Sequence, residues 1–187
     1  MFSASQVLAA FTSLALLTVV QGHTLVLKNN CNASVKPVIA NVNCGYSPRC
    51  NTPGSGGPNP AISYTGPQPN TLAAKTSQTM NLNSQWNGRI FNQNGACGAK
   101  GEGCTMTEFN LDTGNQFTPQ AYDISNIQGF TQSIRIEVNG CDTVTCTNVN
   151  CGCKSAYPPG DLSGCGNDSP VRGCSAGAHT FTITFCP

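Results

Sequence analysis

His179-Thr180-Phe181-Thr182-Ile183-Thr184-Phe185 alternates apolar and polar side chains without a break. A period of two is the signature of a half-buried strand, because successive side chains leave a strand on opposite faces. Phe181, Ile183 and Phe185 therefore share one face with His179, and the threonines take the wet side. Ser133-Ile134-Arg135-Ile136-Glu137-Val138 repeats the pattern. Shorter segments of the same kind are His23 to Leu27, Val35 to Val42, Gln78 to Leu82, Arg89 to Phe91, Glu108 to Leu111 and Ala121 to Ile124. Turn chemistry at Asn87-Gly88, Asn94-Gly95, Thr113-Gly114-Asn115 and Asn139-Gly140 separates them. No long amphipathic helical period occurs, so the expected fold class is all-β, a sandwich or barrel with long loops.

Twelve cysteines lie between Cys31 and Cys186, and none precedes them. An even count in a small chain points to an oxidising compartment and to as many as six bridges. The cysteine-free start reads QVLAAFTSLALLTVV from Gln6 to Val20, followed by Gln21 and Gly22, which predicts a signal peptide over 1–22 cleaved before His23. The apolar run is too short for a membrane span. Residues 23–187 then form a single secreted domain, expected as a monomer, extracellular or in the cell wall. Two segments break the rhythm: a surface loop over 41–70, too rich in Gly and Pro for regular structure, and a Cys-rich loop region over 147–176, nearly devoid of aliphatics, which bridges must hold together. Nine basic and eight acidic residues are scattered along the chain, which leaves no patch for nucleic acid or an anionic membrane. Asn32-Ala33-Ser34 is a glycosylation sequon; Asn167-Asp168-Ser169 is a poorer one because Pro170 follows.

An ordered set of motifs adds to this reading: Trp86-Asn87-Gly88-Arg89-Ile90-Phe91, Gly95-Ala96-Cys97, Gly103-Cys104, Thr107 to Leu111, Tyr122-Asp123-Ile124-Ser125 with Gly129-Phe130, and the terminal Phe185-Cys186-Pro187. Together they resemble the thaumatin-like proteins, in a small, secreted, fungal-type version. The resemblance implies a thaumatin-like β-sandwich with disulfide-stapled loops and a reduced second domain. It also implies bridges Cys31–Cys186, Cys97–Cys104 and Cys141–Cys174, and leaves the pairing of Cys44, Cys50, Cys146, Cys151, Cys153 and Cys165 open. Many members carry an acidic cleft linked to β-1,3-glucan binding or hydrolysis. On that pattern Glu108 and Asp123 take two acidic positions, Gln128 replaces a third, and the arginine is replaced around Asn70 and Thr71. Glu108 and Asp123 are thus candidate catalytic residues, since glycoside hydrolysis needs one protonated and one charged carboxyl group. A structural role for Asp123, accepting hydrogen bonds from a loop backbone, competes with this.

The two histidines form a second constellation. Cleavage before His23 would expose an α-amino nitrogen beside its imidazole, and His179 would complete a three-nitrogen site suited to copper, like the histidine brace of secreted copper proteins. His23 lies eight residues before Cys31 and His179 seven before Cys186. Parallel terminal strands bridged at those cysteines would therefore place both imidazoles at one level and on one side of the sheet. The competing reading is a core-edge histidine bonded to backbone. Tyr46, Tyr64 and Trp86 are candidate aromatic platforms for a polysaccharide, with Trp86 equally suited to the core. No G-x-S-x-G is present for a serine hydrolase, and cysteines that all pair leave no thiol nucleophile. Three functions remain: a binder of cell-wall polysaccharide of the β-glucan kind, a copper protein, and a β-1,3-glucan hydrolase.

Overall fold

The computed structural model describes residues 22–42 and 57–187. The expected signal peptide up to Gln21, Tyr46, Cys44, Cys50 and the first part of the 41–70 loop lie outside the described residues. Among the described residues ten strands appear in chain order: β1 (His23–Asn29), β2 (Pro37–Asn41), β3 (Ser77–Leu82), β4 (Asn87–Asn92), β5 (Met106–Asn110), β6 (Gln120–Ser125), β7 (Ile134–Val138), β8 (Val144–Cys146), β9 (Arg172–Cys174) and β10 (Thr180–Phe185). They form two five-stranded sheets, ordered β3-β1-β10-β7-β8 and β2-β4-β5-β6-β9. Every strand pair is antiparallel except β1 with β10, which run parallel at the middle of the first sheet with Thr24 opposite Thr180 and Asn29 opposite Phe185.

Alternation decides what fills the space between the sheets. Leu25 and Leu27 of β1, Phe181, Ile183 and Phe185 of β10 and Ile134 and Ile136 of β7 are wholly buried and face Ile90, Phe109, Tyr122 and Ile124 of the second sheet. Trp86, just before β4, is also fully buried and stacks on Phe109 at 5.6 Å between ring centroids. A smaller cluster of Ala40, Phe91 and Met106 lies on the outer side of the second sheet, with Cys97 packed against it.

Two expectations change here. Asn87-Gly88 is not a turn but the start of β4. The glycine is required by packing: a Cβ at position 88 would sit 2.1 Å from the Trp86 indole. The short strands β8 and β9, three residues each, lie where no alternation is long enough to announce them.

Five disulfides are present among the described residues. Cys31–Cys186, Cys97–Cys104 and Cys141–Cys174 join as the resemblance implies, and the open pairings resolve as Cys146–Cys151 and Cys153–Cys165. The last two lie in or at the edge of the Cys-rich region, which contains β9 and a single 3-10 turn at Gly164–Gly166. This region packs beside the outer face of β6, with Ser125 bridging to Tyr157.

Candidate functional site

Residues on the outer face of the second sheet fall into register. Arg89 of β4 lies opposite Glu108 of β5, and Glu108 lies opposite Asp123 of β6. Directly opposed residues hold their Cβ atoms about 5 Å apart, so the three polar side chains form one row across three strands. Arg89 Nε donates to Glu108 Oε1 at 2.8 Å. Tyr157 and Asp168 of the Cys-rich region close one side, where the Tyr157 hydroxyl donates to Asp168 Oδ1 at 2.9 Å. These five residues line a cleft of about 500 Å³, together with Asn87, Asn110 and Val171.

The row brings the two expected carboxyl groups, Glu108 and Asp123, together but gives them different surroundings. Asp123 is half-buried, and its Oδ1 is shut off from solvent with no hydrogen-bond partner among the described residues. Burial pushes its carboxyl well above the ordinary carboxylate range, the negative charges of Glu108 and Asp168 add to this, and Arg89 opposes it. Glu108 is the member that holds the arginine. Burial also raises the Tyr157 hydroxyl, helped by its bond to Asp168. The resemblance placed Glu108 and Asp123 but not their neighbours. Arg89 could have been found as the polar member of an alternating strand, whereas Tyr157 and Asp168 reach the cleft only through long-range folding. Gln128, Asn70 and Thr71 are exposed and are not among the cleft's lining residues.

The raised carboxyl makes a pH prediction. A folded-state value above the unfolded one, about 3.9, means that the fold favours the protonated form and loses stability as pH rises through that interval. Asp123→Asn does not titrate. It should therefore raise the unfolding free energy at neutral pH by roughly 1 kcal/mol, read as a higher urea midpoint, and the advantage should vanish near pH 3. Equal gain at both pH values would show that the carboxyl is not held neutral by the fold.

His23 and His179 do meet at one level, as parallel pairing requires: the Thr24 N–H donates to the His179 carbonyl at 2.9 Å. Their rings are nearly parallel, 9° apart, with centroids 6.3 Å apart. His23 is fully buried, and both of its ring nitrogens are engaged. Nδ1 accepts the His179 backbone N–H at 3.2 Å, which leaves Nε2 as the protonated nitrogen that donates to Asp112 Oδ2 at 2.8 Å. His179 Nε2 lies 2.8 Å from the Ser175 carbonyl. Copper does not fit this arrangement, because a metal at either His23 nitrogen would displace a hydrogen bond that the fold already makes. The pair instead ties β1 to β10 and to the β5–β6 loop through Asp112. Burial works to raise the Asp112 carboxyl, but hydrogen bonds from Gln120, the Gln85 N–H and His23 outweigh it and hold the group below its usual range.

Of the three aromatic candidates, Tyr46 lies outside the described residues. Trp86 belongs to the core, with its indole N–H given to Asn41 Oδ1 at 2.9 Å. Tyr64 is 8 % exposed and donates its hydroxyl to the Pro67 carbonyl at 2.8 Å. Neither of these two offers a ring face to solvent. Among the described residues the exposed large aromatic is Phe117, at 83 %, in the β5–β6 loop.

Comparison with known proteins accords with this architecture. No family model matches the chain. It is 29 % identical over 171 residues to pathogenesis-related protein 1A/1B of Hordeum vulgare, covering 88 % of each chain. It is 28 % identical, over the same share, to the thaumatin-like protein PWIR2 of Triticum aestivum. Among solved structures it superposes on a thaumatin-like xylanase inhibitor with a TM-score of 0.53 at 18 % identity, covering 87 % of this chain and 99 % of the other.

Proposed function

We propose that this chain, a thaumatin-like protein in fold and in sequence, is a secreted binder of neutral wall polysaccharide of the β-glucan class, and that the ligand lies in the cleft of Arg89, Glu108 and Asp123. The observation that carries the reading is the cross-strand row itself. A guanidinium, a carboxylate and a carboxyl group biased toward its neutral form alternate donors and acceptors along one line, which suits the hydroxyl groups of an uncharged sugar chain. The relatives' names, pathogenesis-related and thaumatin-like, support a role in defence or at the cell wall. Cysteine content, the leader expected over 1–22 and the exposed Asn32 of the sequon support secretion and glycosylation.

Binding is favoured over turnover by two features of the pair. Glu108 is already committed to Arg89, and one Asp123 oxygen is closed to solvent. A hydrolase remains the second reading because one carboxyl of the pair is pushed toward its neutral form while the other keeps a cationic partner, the pattern of an acid and a base. Incubation with insoluble β-1,3-glucan separates the two. Retention that falls at least severalfold in Arg89→Ala, with no soluble sugar released, is the expected result. Absence of retention would overturn the binding reading. Reducing sugar released by the native protein and lost in Glu108→Gln would put hydrolysis in its place.

A further inference from the structure

A larger groove, about 930 Å³, opens at one end of the sandwich and shares no lining residue with the acidic cleft. One wall is the β5–β6 loop with Asn115, Gln116 and Phe117; the other is formed by the β7–β8 turn at Asp142 and the segment at Ser175. Both walls are held in place. The Asn115 side-chain oxygen accepts the Phe117 N–H at 2.8 Å and the Thr118 N–H at 3.3 Å. The buried Thr113 hydroxyl donates to the Thr118 carbonyl at 2.6 Å, and Gly114 supplies the left-handed turn at φ 74°. Across the groove the Cys141–Cys174 bridge joins the turn to β9.

The Phe117 ring serves no core contact, and its braced loop holds it in the wall of the groove, where an occupant can stack on it. Chemistry of the lining narrows the choice. Amide and hydroxyl side chains surround the single aromatic, and no lysine or arginine lines the groove. Asp112 and Asp142 are its formal charges. A phosphate, a uronate or a nucleic acid would find no cation there. A protein partner would call for a contiguous apolar patch, and Phe117 is the one large exposed apolar residue in the lining. A neutral sugar chain matches: one face of a pyranose stacks its C–H groups on an aromatic ring, and its rim of hydroxyls meets planar amides and carboxylates. We infer that this groove is a second carbohydrate-binding site, taking a neutral oligosaccharide with Phe117 as its stacking platform.

The test is calorimetric titration of the full secreted chain with laminarihexaose, xylohexaose and cellohexaose, alongside amide chemical-shift mapping. Binding of one of these with shifts at Asn115, Gln116 and Ser175 is expected. Phe117→Ala should weaken it roughly tenfold, equivalent to about 1.4 kcal/mol, whereas Phe117→Tyr should preserve it. Leu162→Ala, at a residue 92 % exposed and outside the groove, should leave affinity unchanged and so excludes adsorption through any surface apolar group. Shifts confined to Arg89, Glu108 and Asp123 would place all sugar binding in the acidic cleft and overturn the inference without touching that cleft. Unaltered affinity in Phe117→Ala, preference for polygalacturonate, equal loss in Leu162→Ala, or occupation of the groove by a protein and by no sugar would each overturn it as well.

Discussion

Replacing Cys31 and Cys186 together by serine is expected to destabilise the protein by roughly 5 kcal/mol. The bridge closes a loop with a sequence separation of 155. In the chain-entropy account, the stabilisation grows with the logarithm of that length because the unbridged unfolded chain has more conformations to lose. The Cys146–Cys151 bridge, with a separation of 5, gives a comparison. Its removal should cost about 2 kcal/mol by the same relation. Urea unfolding of the two double-serine variants under oxidising conditions checks both values. Equal losses would mean that native contacts around the sulfurs, and not loop closure, set the contribution. A typical domain has about 5–15 kcal/mol in total, so the long bridge alone can decide whether the fold persists.

Phe181→Ala should lose about 3–5 kcal/mol. Its ring is completely buried and meets Phe109, Tyr122 and His23 edge-on, with centroids at 5.5, 5.9 and 5.4 Å. It thereby links both sheets and the buried imidazole. Alanine would leave a void between sheets whose separation is fixed by many other residues, so relaxation is limited. Phe181→Leu retains most of the volume and should lose much less, under about 1.5 kcal/mol. A loss below 1 kcal/mol for the alanine variant, measured by urea denaturation at neutral pH, would show that the sheets can close over the gap. The same void would loosen the His23 hydrogen bonds, since the two rings touch.

Legibility in the sequence followed range. The long alternations that became β7 and β10 were readable because each is a local pattern of five or six residues with one wet face. Parallel placement of His23 beside His179 was also readable, from counting back to Cys31 and Cys186, although what the rings do there was not. Both His23 nitrogens expected to serve copper are committed, Nδ1 accepting the His179 amide N–H and Nε2 donating its proton to Asp112, and Asp112 comes from a loop nearly ninety residues away from His23. Trp86 and Tyr64 have the composition of sugar platforms, but only packing reveals that both are covered. Phe117 failed to stand out for the opposite reason: one aromatic in a polar loop has no period to detect. Glu108 and Asp123 were identified through the thaumatin-like resemblance, and the sheet register supplied their adjacency and Arg89.

The parallel pairing of β1 with β10 also orders events in time. β1, the first of the described strands, is flanked by β3 and by β10, the last of them, and β10 in turn carries β7. As the polypeptide emerges, β1 can pair with β3, yet the inner edge of β1 must wait until residues 180–185 have been synthesised. The second sheet needs no such partner: β2, β4, β5 and β6 pair among themselves earlier in the chain. Nascent protein should therefore pass through a stage with one sheet nearly complete and the other split, exposing Leu25 and Leu27. High sequence separation between paired strands makes the closing step slow, and the open edge is what a folding chaperone would need to shield.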